Sequence, residues 1–121
     1  MAIRINWITI FVNDMAASQM FYGDYLGLTK AEEFPAGPDM DIAFFEADNG
    51  MKVELIENRA AEAAGKNPDV IIGVAVDNFD ELMEKAKVLN VFLSGPEVLG
   101  GHLEVFYAMD PNGVSVQIAR M

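Results

Sequence analysis

The chain has 121 residues, 52% of them hydrophobic and 22% charged, which fits one domain with a packed core and excludes a disordered or fibrous polypeptide. Nineteen acidic residues against eight basic ones give a formal net charge of −11, a field that repels phosphate backbones and argues against nucleic acid as a partner. There is no cysteine, and therefore no disulfide framework, thiolate metal site or cysteine nucleophile.

The first residues, MAIRINWITI, mix charge with alternation and match neither a signal peptide nor a spanning helix. The longest conspicuous apolar run, VIIGVAV, falls short of the roughly 18–20 residues a membrane span needs. A soluble, cytoplasmic protein with no membrane partner is expected. IRINWITIFV (3–12) alternates as a strand, with Ile3, Ile5, Trp7, Thr9 and Phe11 on one face. Asn13-Asp14 supplies capping chemistry for a helix through about Leu26. Its buried stripe is Met15, Ser18, Phe21, Tyr22 and Tyr25, and Gly27 closes it. GLTKAEEF (27–34) reads as a short strand, PAGPD as a turn and DIAFFEA (41–47) as a strand. Asp48-Asn49-Gly50 is then a hairpin signal into MKVELIE.

NRAAEAAGKNPD (58–69) is small and polar and reads as a linker. The pattern restarts after it. VIIGVAV (70–76) reads as a strand, and Asp77-Asn78 as a cap for a helix over 79–90, with Phe79, Leu82, Met83, Ala86 and Leu89 buried. VFLSG reads as a short strand, PEVLGG as a loop, HLEVFYAM (102–109) as a strand, DPNG as a turn and VSVQIAR as the last strand. On the second helix Glu81 and Lys85 are placed as an i, i+4 pair on a solvated face.

Two β-α-β-β-β units therefore follow one another, about 1–57 and about 70–121. Gly50 and Gly113 are related by a shift of 63, as are Glu54 and Gln117, while Val12 and Val76, and Trp7 and Ile71, are related by 64. The fold expected is α+β: one domain of two tandem modules with curled mixed sheets, packed to form a cleft. This duplicated plan, carried by FVNDMAASQMFYGDYLGL, MKVELIE, VIIGVAVDNFDEL and FYAMDPNGVSVQIAR, resembles the vicinal oxygen chelate superfamily of glyoxalase I, extradiol dioxygenases and bleomycin-resistance proteins. The resemblance covers essentially the whole chain.

In metal-using members, the resemblance implies four ligands, commonly His, Glu, His and Glu with Gln as a substitute. Carried onto this sequence the positions are Trp7, Glu54, Ile71 and Gln117. Trp7 offers only an N–H donor and Ile71 offers nothing, so no cofactor is expected. A divalent metal is disfavoured, held at most weakly by Glu54 and Gln117. Two readings of that polar pair stay open. They can face each other as a structural hydrogen-bonded pair, or Glu54 can act as a base or as the anchor of a cationic or N–H-bearing ligand. Thr9 and Lys52 share the faces of Trp7 and Glu54, and Ser115 that of Gln117, which completes a ligand-binding set of Trp7, Thr9, Lys52, Glu54, Ile71, Ser115 and Gln117. The chain's one histidine, His102, joins it as a third ligand or base leaning over the cleft, against the plainer reading of a surface residue in a hairpin.

The function expected is binding of a small, cationic or aromatic molecule without a tightly bound catalytic metal. The alternatives are a superfamily enzyme, lactoylglutathione-lyase-like or dioxygenase-like, with Glu54 as base or ligand, and an accessory domain with a vestigial cleft. Family members of this length also imply a homodimer.

Overall fold

A computed structural model describes Ala2, residues 4–61 and residues 70–121. Ile3 and residues 62–69 of the expected linker lie outside the described residues. The chain divides into two compact units, Met1–Ala64 and Gly65–Met121.

The first unit runs β1 (Trp7–Phe11), α1 (Met15–Gln19) continuing into a π-helical stretch (Met20–Tyr25), β2 (Thr29–Pro35), β3 (Met40–Glu46) and β4 (Lys52–Asn58). Its sheet has the order β1-β4-β3-β2, with β1 parallel to β4 and the other pairs antiparallel. The second unit runs β5 (Ile71–Val76), α2 (Phe79–Val88), β6 (Phe92–Leu99), β7 (Leu103–Met109) and β8 (Ser115–Arg120), in the equivalent order β5-β8-β7-β6. Two four-stranded mixed sheets, each carrying one helical element, give the expected α+β class and tandem β-α-β-β-β plan.

Alternation decides what each sheet buries. In the first module Ile10 and Val12 point to the helix side with Ala43, Phe45, Val53 and Leu55, and the helix contributes Met15, Phe21, Tyr22 and Tyr25. Each large apolar side chain buried this way contributes about 1.5–3 kcal/mol. Asp14 caps α1, its carboxylate accepting from Ala17 N at 3.0 Å. Burial also pushes the Tyr25 hydroxyl up to about 12. In the second module Phe79, Leu82 and Ala86 of α2 belong to a core with Phe106, Ala108, Val116 and Ile118. There Phe79 meets Phe106 edge-on at 5.2 Å. Arg120 ties β8 to α2 from outside. Its guanidinium donates to Asp80 at 2.8 Å and to Glu104 at 2.7 Å, and lies 4.5 Å over the Phe79 ring. The Asp80 and Glu104 carboxylates raise the Arg120 pKa, and Arg120 lowers that of Asp80.

Leu89, expected in the buried stripe of the second helix, is its C-cap and is exposed, and four elements also depart from expectation. The α-helix gives way at Met20 to a π-helical stretch in which Leu26 N–H donates to Phe21 O, five residues back, at 2.9 Å. Asn78 is the N-cap of α2 but makes no side-chain cap bond. β1 begins at Trp7, well inside the expected run. Finally, PEVLGG is not a loop, because β6 continues through Pro96 to Leu99. β6 is the edge of its sheet, so the missing proline N–H removes no ladder bond, and the register slips between Ser94 and Glu97. Gly95 makes this course possible. Its φ is +109°, and an added Cβ would lie 3.0 Å from Phe106 Cα.

Candidate functional site

The sheet faces turned away from the helices carry the expected site residues. In the first module β1 presents Trp7, Thr9 and Phe11, and β4 presents Lys52, Glu54 and Ile56. The parallel register sets Trp7 beside Lys52, Thr9 beside Glu54 and Phe11 beside Ile56. On the other side of β4, Phe44 of β3 lies across from Glu54.

Thr9 Oγ1 donates to Glu54 Oε1 at 2.5 Å. The second carboxylate oxygen has no hydrogen-bond partner among the described residues. Trp7 is 51% exposed and meets Phe44 edge-on, with ring centroids 5.9 Å apart and planes at 84°. The two rings form an open aromatic corner beside a carboxylate whose rotamer is held by a hydroxyl. Lys52, in the same face, forms no ion pair among the described residues.

In the second module β5 presents Ile71, Gly73 and Ala75 on the corresponding face, against Ser115, Gln117 and Ala119 of β8. Gln117 Nε2 donates to the hydroxyl of Tyr107, directly across on β7, at 3.0 Å. Ser115 lies between Ile71 and Met109 in register. Ile71 is 55% exposed. Glu54 and Gln117 thus each have a partner in their own sheet, Thr9 and Tyr107.

The structure brings Trp7, Thr9, Lys52 and Glu54 together on one face, and Ile71, Ser115 and Gln117 together on another. His102 is not among them. It stands exposed in the β6–β7 turn, Nδ1 2.9 Å from Gly100 O, and five residues of strand, roughly 16 Å, separate it from Tyr107. Sequence reasoning missed Phe44 and Tyr107. Both were visible in principle as the outward residues of DIAFFEA and HLEVFYAM, one strand away from Glu54 and Gln117.

The donor chemistry at the four ligand positions that the resemblance implies does not suit a metal. Indole has no lone pair to give, isoleucine has no polar atom, and one amide oxygen with one carboxylate is too weak a set for zinc, nickel or iron. No group of three or more His, Cys, Asp or Glu placed to hold a metal occurs among the described residues.

A separate groove of about 510 Å³ lies on the helix side of the first module, lined in part by Met20, Gly23 and Phe45. Gln19 and Lys30, which also line it, both donate to Glu33, at 2.7 and 2.9 Å, and these bonds hold the Glu33 pKa low.

The family described as the Glyoxalase/Bleomycin resistance protein/Dioxygenase superfamily matches residues 4–118. Solved structures share the fold. A glyoxalase family protein from Bacillus cereus superposes with a TM-score of 0.85 at 12% identity, covering 99% of this chain and 95% of its own. Trypanothione-dependent glyoxalase I from Leishmania major gives 0.81 at 19% identity, covering 98% and 87%. A lactoylglutathione lyase from Agrobacterium tumefaciens gives 0.72 at 19%, covering 97% and 92%. No curated protein matches the chain significantly. No helix among the described residues is long and apolar enough to cross a membrane.

Proposed function

The chain belongs to the glyoxalase/bleomycin resistance protein/dioxygenase superfamily, and from that premise we propose that it binds a small cationic aromatic molecule on the Trp7–Glu54 face, without a tightly held catalytic metal. The observation that carries this reading is the Trp7–Phe44 corner next to a Glu54 braced by Thr9. An aromatic ring can stack in such a corner while an N–H or cationic group meets the second Glu54 oxygen. A net charge of −11 also favours a cationic ligand. Trp7 and Ile71, where metal ligands are implied by the family, suit contact with an apolar body better than coordination.

Trp7 is the chain's only tryptophan, so its emission reports on this face directly. Benzamidine, an aromatic amidinium, is expected to quench or shift that emission saturably, and benzoate is not. Glu54→Gln is expected to weaken benzamidine binding by tenfold or more, the loss of a charge-assisted hydrogen bond of about 1.5–3 kcal/mol. A flat response to benzamidine would sink the reading and leave an accessory domain with a vestigial face. The enzyme reading rests on the free Glu54 oxygen as a proton acceptor. Stoichiometric nickel, zinc or iron in the purified protein would favour it.

A further inference from the structure

Gly73 has no evident structural reason to be glycine. A glycine within a strand forfeits side-chain packing and backbone entropy, and marks a bulge, a bend or a place where something must approach closely. β5 has no bulge, since its register with β8 runs unbroken from Ile71–Ser115 to Val76–Arg120. Its φ is not among the positive ones that favour glycine. A Cβ built on Gly73 meets one described atom within 4 Å, Gln117 Oε1, at the ordinary contact distance of 3.8 Å. A side chain would fit, and none is there.

The repeat shows what its absence does. The counterpart of Gly73 in the first module is Thr9, at the same shift of 64 that relates Ile71 to Trp7. The counterpart of Phe44 is Tyr107, at the shift of 63 that relates Glu54 to Gln117. In the first module the hydroxyl comes from the first strand, Thr9, and the residue across on the third strand is a bare ring. In the second module this is reversed. The hydroxyl comes from Tyr107 and engages Gln117 Nε2, while the first strand offers empty space next to Gln117 Oε1. One of the two Nε2 N–H groups is thereby engaged by Tyr107, and Oε1, the acceptor of the amide, faces the space beside Gly73. The residues flanking Gln117 on β5, β7 and β8, namely Ile71, Ala75, Ser115, Ala119, Tyr107 and Met109, include no charged side chain, and Glu97 of β6 stands farther off, across from Val105.

We propose that Gly73 keeps open a notch on the second module that admits a neutral N–H donor of a small molecule, such as a carboxamide, onto Gln117 Oε1, with Tyr107 as the positioning residue that turns the amide. This goes beyond the small-molecule reading above: the second module has a preference of its own for a neutral donor, independent of what the first-module face binds.

The test is an NMR titration of the full chain labelled with nitrogen-15, following the side-chain amide signals of Gln117. The probes are benzamide, which donates N–H, and methyl benzoate, a neutral ring of similar size that only accepts. Benzamide is expected to move the Gln117 signals saturably and at least fivefold more tightly than methyl benzoate. Gly73→Val is expected to remove that response with the backbone spectrum retained, and Tyr107→Phe to collapse the ratio between the two probes. Equal responses to the two probes would overturn the proposal, as would unaltered benzamide binding by Gly73→Val. Unfolding of both Gly73→Val and Gly73→Ala would overturn it too, since the glycine would then be needed by the fold. The Trp7 response to benzamidine separates this failure from that of the broader reading. A benzamidine response without a Gln117 response to benzamide leaves the first-module site standing and discards the notch.

Discussion

Ala47 and Asp110 hold the same place in the two repeated turns. Ala47 N–H donates to Met51 O and Gly50 N–H to Ala47 O, and Asp110 N–H donates to Val114 O and Gly113 N–H to Asp110 O. Backbone geometry is thus duplicated while the side chain is not. The Asp110 carboxylate, only 4% exposed, accepts from Asn112 N at 2.8 Å, Val114 N at 2.7 Å and Asn112 Nδ2 at 3.0 Å. Asp48, one position later in the first turn, corresponds to Pro111 and is exposed.

Asp110→Ala is therefore expected to cost about 3 kcal/mol, because it strands buried donors that water does not reach. A fall in melting temperature of roughly 10–20 °C would register it. Asp48→Ala, the control on the exposed turn, is expected to stay within about 0.5 kcal/mol.

Gly23→Ala should destabilise although alanine is the better helix former. The new Cβ would sit 2.8 Å from Phe45 Cε1, and Phe45 is buried. Overpacking of this kind costs about 1–3 kcal/mol, against a propensity gain of about 1 kcal/mol. Denaturant titration of Gly23→Ala, Phe45→Leu and the double variant closes the cycle, and the double variant is expected to be more stable than the sum of the singles predicts.

What could be read from sequence was periodic. The alternation of WITIF, KVELI and SVQIA, the helical stripe of Phe21, Tyr22 and Tyr25, and the spacing from Glu54 to Gln117 all survive because each depends on residues close in the chain. What escaped depends on neighbours distant in sequence. Pro96 suggested a loop because nothing local reveals that β6 is an edge strand, where a missing N–H is harmless. The π-helical turn at Met20 lies where Gly23 packs on Phe45, a residue from another strand. Thr9 is legible as a site residue but not as the partner of Glu54, and Tyr107 escaped altogether, for the same reason. Glu54 and Gln117 are both oriented by cross-strand hydroxyls, Thr9 and Tyr107, and register is not written in either strand alone.

Thr9→Val keeps the shape of the side chain and removes the hydroxyl. It is expected to cost about 1 kcal/mol of stability. Ligand binding should weaken as well, since the freed Glu54 must be ordered again by the ligand. Calorimetric titration with benzamidine is expected to show an affinity several-fold weaker, with the Thr9→Ser variant close to wild type.

Tyr25 gives the protein a sensitivity to alkali. Burial raises its hydroxyl from 10.0 to about 12 in the folded chain, so between those values the unfolded chain releases a proton that the folded chain retains. The stability this represents is intact below pH 10 and is lost as pH rises toward 12. Melting temperature is expected to fall more steeply above pH 10 in the wild type than in Tyr25→Phe. Parallel curves for the two would contradict it.

The parallel pairing of β1 with β4 has a consequence for the order of assembly. Trp7 finds its ladder partner only at Lys52, and Ile71 only at Ser115, so the opening strand of each module waits for the closing one. The β2–β3 and β3–β4 hairpins, and their counterparts in the second module, join neighbours in sequence and can form early. Each module is then expected to lock when its oldest strand docks beside its newest, late in folding, so that substitutions at Trp7 or Ile71 should speed unfolding while leaving the folding rate nearly unchanged.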